Sequence, residues 1–143
     1  MSTALQLLLA SANDMDYLLD LRKSTMVEHL AKSGIVYSDE QHRARILEHF
    51  DCFYLILLDG VCVGAIKYST DNNRIKIMQL QIHPDFQNQG IGAQVIRQIL
   101  VEHAHLDCYL TVLKFNPAKD LYLRLGFIQY GEDELEFHMR YGR

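Results

Sequence analysis

The chain has 143 residues, 49% of them hydrophobic and 22% charged, which is enough to bury one sizeable core and excludes a disordered or fibrous polymer. Its formal net charge of -4 comes with Lys and Arg scattered along the chain rather than massed on one segment, which excludes a broad nucleic-acid footprint. In the opening MSTALQLLLASANDMDYLLD the apolar run spans only Leu5 to Ala10, has no Lys or Arg before it and soon meets Asp14 and Asp16, so we expect neither signal peptide nor membrane span but a cytoplasmic protein.

Residues 1–143 read as one domain, without linker, repeat or low-complexity tract. Leu5 to Ala10 forms a first strand. A helical pattern follows from about Asn13 to Lys32, with Met15, Leu18, Leu19, Met26, Val27 and Leu30 recurring at spacings of three or four, and Gly34 ends it. Ser38 and Gln41 form a capping box for a second helix that runs to about His49. CFYLILLDGVCVGAIKYS comprises two β-branched and aromatic runs joined by Asp59-Gly60, a strong hairpin signal. TDNN then turns the chain into RIKIMQLQIH, a fourth strand whose alternation loses phase at Met78-Gln79 and so predicts a bulge. A third helix from Gly90 to about His103 carries an apolar stripe of Ile91, Val95, Ile96, Ile99 and Leu100. CYLTV is a fifth strand, PAKDLYLRL a short helix closed by Gly126, and FIQYGEDELEFHMRY a final hairpin. This order describes a mixed sheet with helices on its faces, an α/β or α+β domain.

Cys52, Cys62 and Cys108 are odd in number, lie in apolar strand-like runs and lack CxxC spacing, so buried reduced thiols are expected and no metal site. His103 and His105 have an HxH spacing that could suggest a metal, but they fall at the predicted end of the third helix, where the commoner role is to offset the helix dipole. The stretch Gln87-Asn88-Gln89-Gly90-Ile91-Gly92 lies between a strand and a helix start. The first amides of a helix have no internal acceptor and the dipole adds positive charge there, so a phosphate can be held against glycines that let it approach. Ordinary capping and close packing would use the same glycines. A Walker loop would need Lys-Ser or Lys-Thr after them, whereas Gly92 is followed by Ala93-Gln94, and a dinucleotide fingerprint would need a third glycine.

QNQGIGA matches the pyrophosphate-binding signature Q/R-x-x-G-x-G/A, and NPAKDLYLRLGF supplies Asn116, Ala118, Leu121-Tyr122 and Gly126-Phe127. Together with the element order, these motifs resemble the GNAT superfamily of acetyl-CoA-dependent N-acetyltransferases over nearly the entire chain. The resemblance implies a mixed, mostly antiparallel seven-stranded sheet with helices on both faces and splayed strands four and five. It also implies direct acetyl transfer from acetyl-CoA to a primary amine on a small molecule, an amino acid or a peptide, with no metal. Backbone groups at Gln81 and Ile82 would line the pantetheine arm, and the loop through Gln87, Asn88, Gln89, Gly90, Ile91, Gly92 and Ala93 would hold the pyrophosphate. Asn116 would bond the pantetheine arm or orient the thioester, and it equally suits a helix N-cap. Tyr122 would donate to the departing thiolate, or simply pack beside Leu121.

Many GNAT members use a carboxylate on strand four as base, where MQLQIH offers Gln79 and Gln81 instead. Glu28, His29, Glu40 or a water chain are the substitutes. Glu132, Asp133, Glu134 and Glu136 would either draw a cationic amine or only solvate the last hairpin. An exposed final strand would allow pairing across a homodimer. The competing readings are an acyl-CoA-binding module without turnover and an unrelated α/β fold that ignores CoA.

Overall fold

Local signals set the element boundaries in the computed structural model, which describes residues 5–142. Strand β1 (Leu5–Leu9) leads through a 3-10 turn to helix α1 (Met15–Lys32), and α2 (Asp39–Leu47) follows. The predicted capping box opens α2: Gln41 N donates to Ser38 Oγ at 3.2 Å and Ser38 N to Gln41 Oε1 at 2.8 Å. Strands β2 (Phe53–Leu58) and β3 (Val61–Thr70) form the Asp59-Gly60 hairpin, and β4 (Arg74–Ile82) returns beside β3. Helix α3 (Ile91–Glu102), strand β5 (Asp107–Leu113), helix α4 (Ala118–Arg124) and the hairpin β6 (Ile128–Glu132) and β7 (Glu136–Tyr141) complete the chain.

The strands make one seven-stranded sheet in the order β1-β2-β3-β4-β5-β7-β6. Its one parallel pair among the described residues, β4 with β5, runs only from Arg74 opposite Asp107 to Ile77 opposite Leu110. Beyond that point β5 continues to pair with β7 through Leu113, while β4 runs on to Ile82 hydrogen-bonded only to β3. The two central strands therefore splay apart. The expectation of an exposed final strand is corrected: β7 lies between β5 and β6, and β6 is the edge. Hairpin signals fix which strands are joined but not which member faces the rest of the sheet.

The predicted bulge sits at Met78. Lys67 pairs with Gln79 and Tyr68 with Ile77, so Met78 has no partner of its own on β3. This extra residue shifts the side-chain phase. Ile75 and Ile77 before it and Leu80 and Ile82 after it all pack toward the core that holds α3, where Val95, Ile96 and Ile99 are fully buried. Gln79 and Gln81 are turned to the other face. That face carries α1 and α2, whose Leu18, Leu21 and Ile46 pack on Phe53, Leu55 and Ala65. Two expectations are adjusted here. Val27 is exposed rather than part of the α1 stripe, and Cys52 and Cys62 are half-buried while Cys108 alone is fully buried. Among the described residues no helix is long and apolar enough to cross a membrane.

Candidate active site

The splay opens two cavities that meet under it. One, of about 450 Å³, lies against the loop from Phe86 to Ala93 and the start of α4. The other, of about 460 Å³, lies against α1, the end of α2 and the outer side of β4. Met26, Leu80, Gln81, Asn116, Ala118 and Tyr122 line both, so these six residues stand at the junction.

The loop at the first cavity is shaped by its backbone. Gln87 Nε2 donates to Ile82 O at 2.9 Å, which ties the loop to the end of β4. Asn88 and Gly90 take φ of 63° and 78°, and the left-handed turn at Gly90, the N-cap of α3, is one that glycine enters without strain. The first helical bond of α3 is Gln94 N to Gly90 O at 3.0 Å, so the amides of Ile91, Gly92 and Ala93 precede the ladder and carry the positive end of the helix dipole. No acidic residue occupies this first turn, and Arg124 lines the same cavity. Asn88, Gly90, Ile91, Gly92 and Ala93 thus line one wall, with Ile82 beside them. Gln89 is exposed and outside the lining of either cavity.

At the junction, Tyr122 is 6% exposed and stacks edge-on against Phe127, with ring centroids 5.6 Å apart. Burial, with the Cys108 thiol adding to it, pushes its phenol well above the usual tyrosine range, so it stays protonated at any physiological pH. Asn116 Oδ1 accepts from Ala118 N, the first amide of α4, at 2.9 Å, while the N-cap position itself is taken by Pro117 rather than by Asn116. Gln81 is buried, yet its side chain borders both cavities.

Of the residues considered as proton acceptors, the structure brings His29 to the first cavity, with Nδ1 buried and without a partner among the described residues. Glu28 points to solvent and pairs with Lys32 at 3.4 Å, and Glu40 is exposed at the start of α2; neither lines a cavity. The acidic hairpin is largely committed within the protein. Glu132 pairs with Lys114, Asp133 with His138 at 2.9 Å, and Glu136 accepts from Thr111 Oγ1 at 3.0 Å.

Sequence reasoning missed a buried polar group in the second cavity. Arg22 Nε donates to His42 Nδ1 at 3.1 Å, and burial, followed by the charge of Arg22, holds the His42 imidazole below its usual range. Lys67, 1% exposed, donates to Arg45 O at 2.8 Å and to Glu48 O, and its ammonium sits 4.9 Å from the Phe53 ring centroid. Burial, then the nearby Arg22 charge, lowers the Lys67 ammonium from 10.5 to about 8. Because the folded value lies below the unfolded one, the unfolded chain holds a proton that the folded chain has lost between these two pH values. The contribution of Lys67 to stability therefore rises with pH across that window and is smallest below it. The unfolding free energy of the wild type minus that of Lys67→Met, measured in urea, is expected to increase between about pH 7.5 and about pH 9.5. A difference flat with pH would show that Lys67 keeps an ordinary affinity for its proton.

A family model described as "Acetyltransferase (GNAT) family" matches residues 16–127. No curated protein sequence matches the chain. Among solved structures, the chain is similar to the PaiA N-acetyltransferase of Thermoplasma acidophilum in complex with coenzyme A, with TM-score 0.73 and 20% identity over 100% of both chains. It is similar to an acetyltransferase of Thermus thermophilus, with TM-score 0.77 and 19% identity over 96% of both chains. Naa50 of Arabidopsis thaliana, in complex with the bisubstrate analogue CoA-Ac-MVNAL, aligns over 100% of both chains with TM-score 0.68 and 18% identity. At such identities these likenesses speak for the fold.

Proposed function

The chain belongs to the acetyltransferase (GNAT) family, and from that premise we propose that it transfers the acetyl group of acetyl-CoA directly to a primary amine. The observation that carries this reading is the pair of cavities joined at Gln81, Asn116 and Tyr122, which lets two substrates meet without leaving the protein. The residues present fit acetyl-CoA. Three unpaired amides and a helix N-terminus suit its pyrophosphate, and the β4 edge from Met78 to Ile82, freed from β5, suits a pantetheine arm with amides of its own. The thermophile relative solved with coenzyme A and the plant relative solved with a CoA–peptide analogue support a CoA donor and an amine acceptor.

Acetyl-CoA, when bound, supplies an acyl group activated as a thioester. An amide of β4 that turns away from β3 then donates to the carbonyl oxygen as negative charge develops there. Tyr122, protonated and with no hydrogen bond to another described residue, donates to the sulfur as charge collects on it; its burial favours a strengthening hydrogen bond over complete proton release. A lysine-like amine must lose a proton at a cost of about 4 to 5 kcal/mol at neutral pH. His29, the one candidate base of the three that lines a cavity, takes that proton directly or through water. A cytoplasmic site of action accords with three free thiols.

The second reading, a module that binds acyl-CoA without turnover, is favoured by one observation: β4 presents Gln79 and Gln81, and neither amide can act as a base. Two measurements separate them. CoA at about a hundred times its Kd should stabilise the protein by about 2.7 kcal/mol in either case, and its failure to do so would remove both readings. Release of CoA thiol with at least one member of an amine panel is expected for the transferase. Binding without release for every amine would leave the module.

A further inference from the structure

The cavity on the α1 and α2 side holds two buried cations that form no ion pair with a carboxylate among the described residues; Glu48 acts on both only through its charge. The ion pairs of the described residues join Lys23 to Asp39, Lys32 to Glu28, Arg45 to Glu48 and Lys114 to Glu132, with two histidine pairs, and none includes Arg22 or Lys67. Lys67 is satisfied by backbone carbonyls at the end of α2. Arg22, 6% exposed, spends only Nε, on His42. Its two terminal nitrogens make no hydrogen bond to a described residue, and they are not among the atoms sealed from solvent without a partner, so the cavity reaches them. A guanidinium withdrawn from bulk water without a counter-ion is costly unless something that enters completes it.

Resting on the acyl-transfer reading, we propose that the acceptor is a free amino acid or ω-amino acid, whose carboxylate is bound by the Arg22 guanidinium while its amine faces the junction at Gln81 and Tyr122. The carboxylates near the cavity do not oppose this. Glu48 is paired with Arg45 at 3.8 Å and Glu136 accepts from Thr111, while Gln79 and Gln81 are neutral. Arg22 therefore presents a paired set of N–H donors with no carboxylate hydrogen-bonded to them, the arrangement that recognises a planar carboxylate. Reach is also consistent. Arg22 precedes Met26 by four residues on α1, about 6 Å along the axis, and Met26 lines both cavities. A molecule with its amine and carboxylate a few bonds apart spans that interval.

The test compares acceptors matched in shape: glutamate and γ-aminobutyrate against their carboxamides, with a diamine and a short peptide lacking acidic residues, each at saturating acetyl-CoA. The expected result is a kcat/KM roughly 10- to 100-fold higher for the carboxylates than for the carboxamides. Arg22→Met should collapse that ratio to near unity with KM for acetyl-CoA unchanged, and Arg22→Lys should restore part of it. Equal rates for the matched pair, a preference for the diamine or the peptide, or a ratio untouched in Arg22→Met would overturn the proposal. If no acceptor turns over, calorimetry with γ-aminobutyrate in the presence of CoA still decides. Binding lost in Arg22→Met and absent for the carboxamide supports the site while the transferase reading fails; no binding sinks the site. Should Arg22→Met not fold, Arg22→Lys and the wild-type comparison carry the same outcomes.

Discussion

Tyr122→Phe is expected to lower kcat for acetyl transfer by about 100-fold or more while the KM for acetyl-CoA and the melting temperature stay close to wild type. The reasoning is local. The ring is buried against Phe127, and phenylalanine reproduces that packing. The hydroxyl bonds to no other described residue, so its removal leaves no orphan inside the protein. What is lost is a donor at the junction of the two cavities, where the proposed transfer would put charge on the sulfur of the leaving group. A donor whose bond strengthens only as the reaction proceeds affects kcat rather than ground-state binding. Single-turnover thiol release separates this from slow product escape. A variant as fast as the wild type would make the phenol a packing residue, and the proton would have to come from water.

Gly64→Ala should damage both stability and activity. A Cβ on Gly64 would lie 2.3 Å from Gln81 O and 3.0 Å from Ile82 Cα, both backbone atoms that no rotamer change can move aside. The strain must push β4 away from β3, at a cost on the order of 1–3 kcal/mol and a fall in Tm on the order of 5–10 °C. The displaced residues are the ones at the splay, so a shift of about 1 Å there is expected to cost up to about 100-fold in kcat/KM as well. Gly131→Ala serves as contrast, because its added Cβ meets nothing nearer than 3.8 Å. Thermal melts and initial rates on the two variants check this. A Gly64→Ala protein with wild-type values in both would mean that the strands part there without consequence.

Much of the architecture was legible because local chemistry and tertiary structure agree. Ser38 with Gln41, Asp59-Gly60 and the α3 stripe each act within a few residues, and the lost alternation at Met78-Gln79 reported a bulge before any partner strand was known. The position of β7 inside the sheet was not legible, since it depends on pairing with β5 across twenty-odd intervening residues. The cationic group was visible only as an anomaly. Arg22 fills the slot midway between Leu18 and Met26, where the α1 stripe calls for an apolar residue, and Lys67 interrupts the apolar run of β3. Neither stands out by sequence, because an isolated Arg or Lys on a surface helix or strand is ordinarily solvated. Which of Glu28 and His29 meets a cavity depended on the rotation of α1, which an eighteen-residue helix with little amphipathic bias does not declare.

The early parting of β4 from β5 means that the groove is a sheet with one strand left out, not a hollow worn into a hydrocarbon interior. Peptide groups along that bare edge must bond to water or to a guest. An elongated visitor bearing amides of its own takes water's place without leaving those groups unmet, whereas a plain alkyl thioester of equal length would strand them. In the proposed complex, selectivity for the coenzyme's linker over a simple fatty thioester would follow from where the ladder stops.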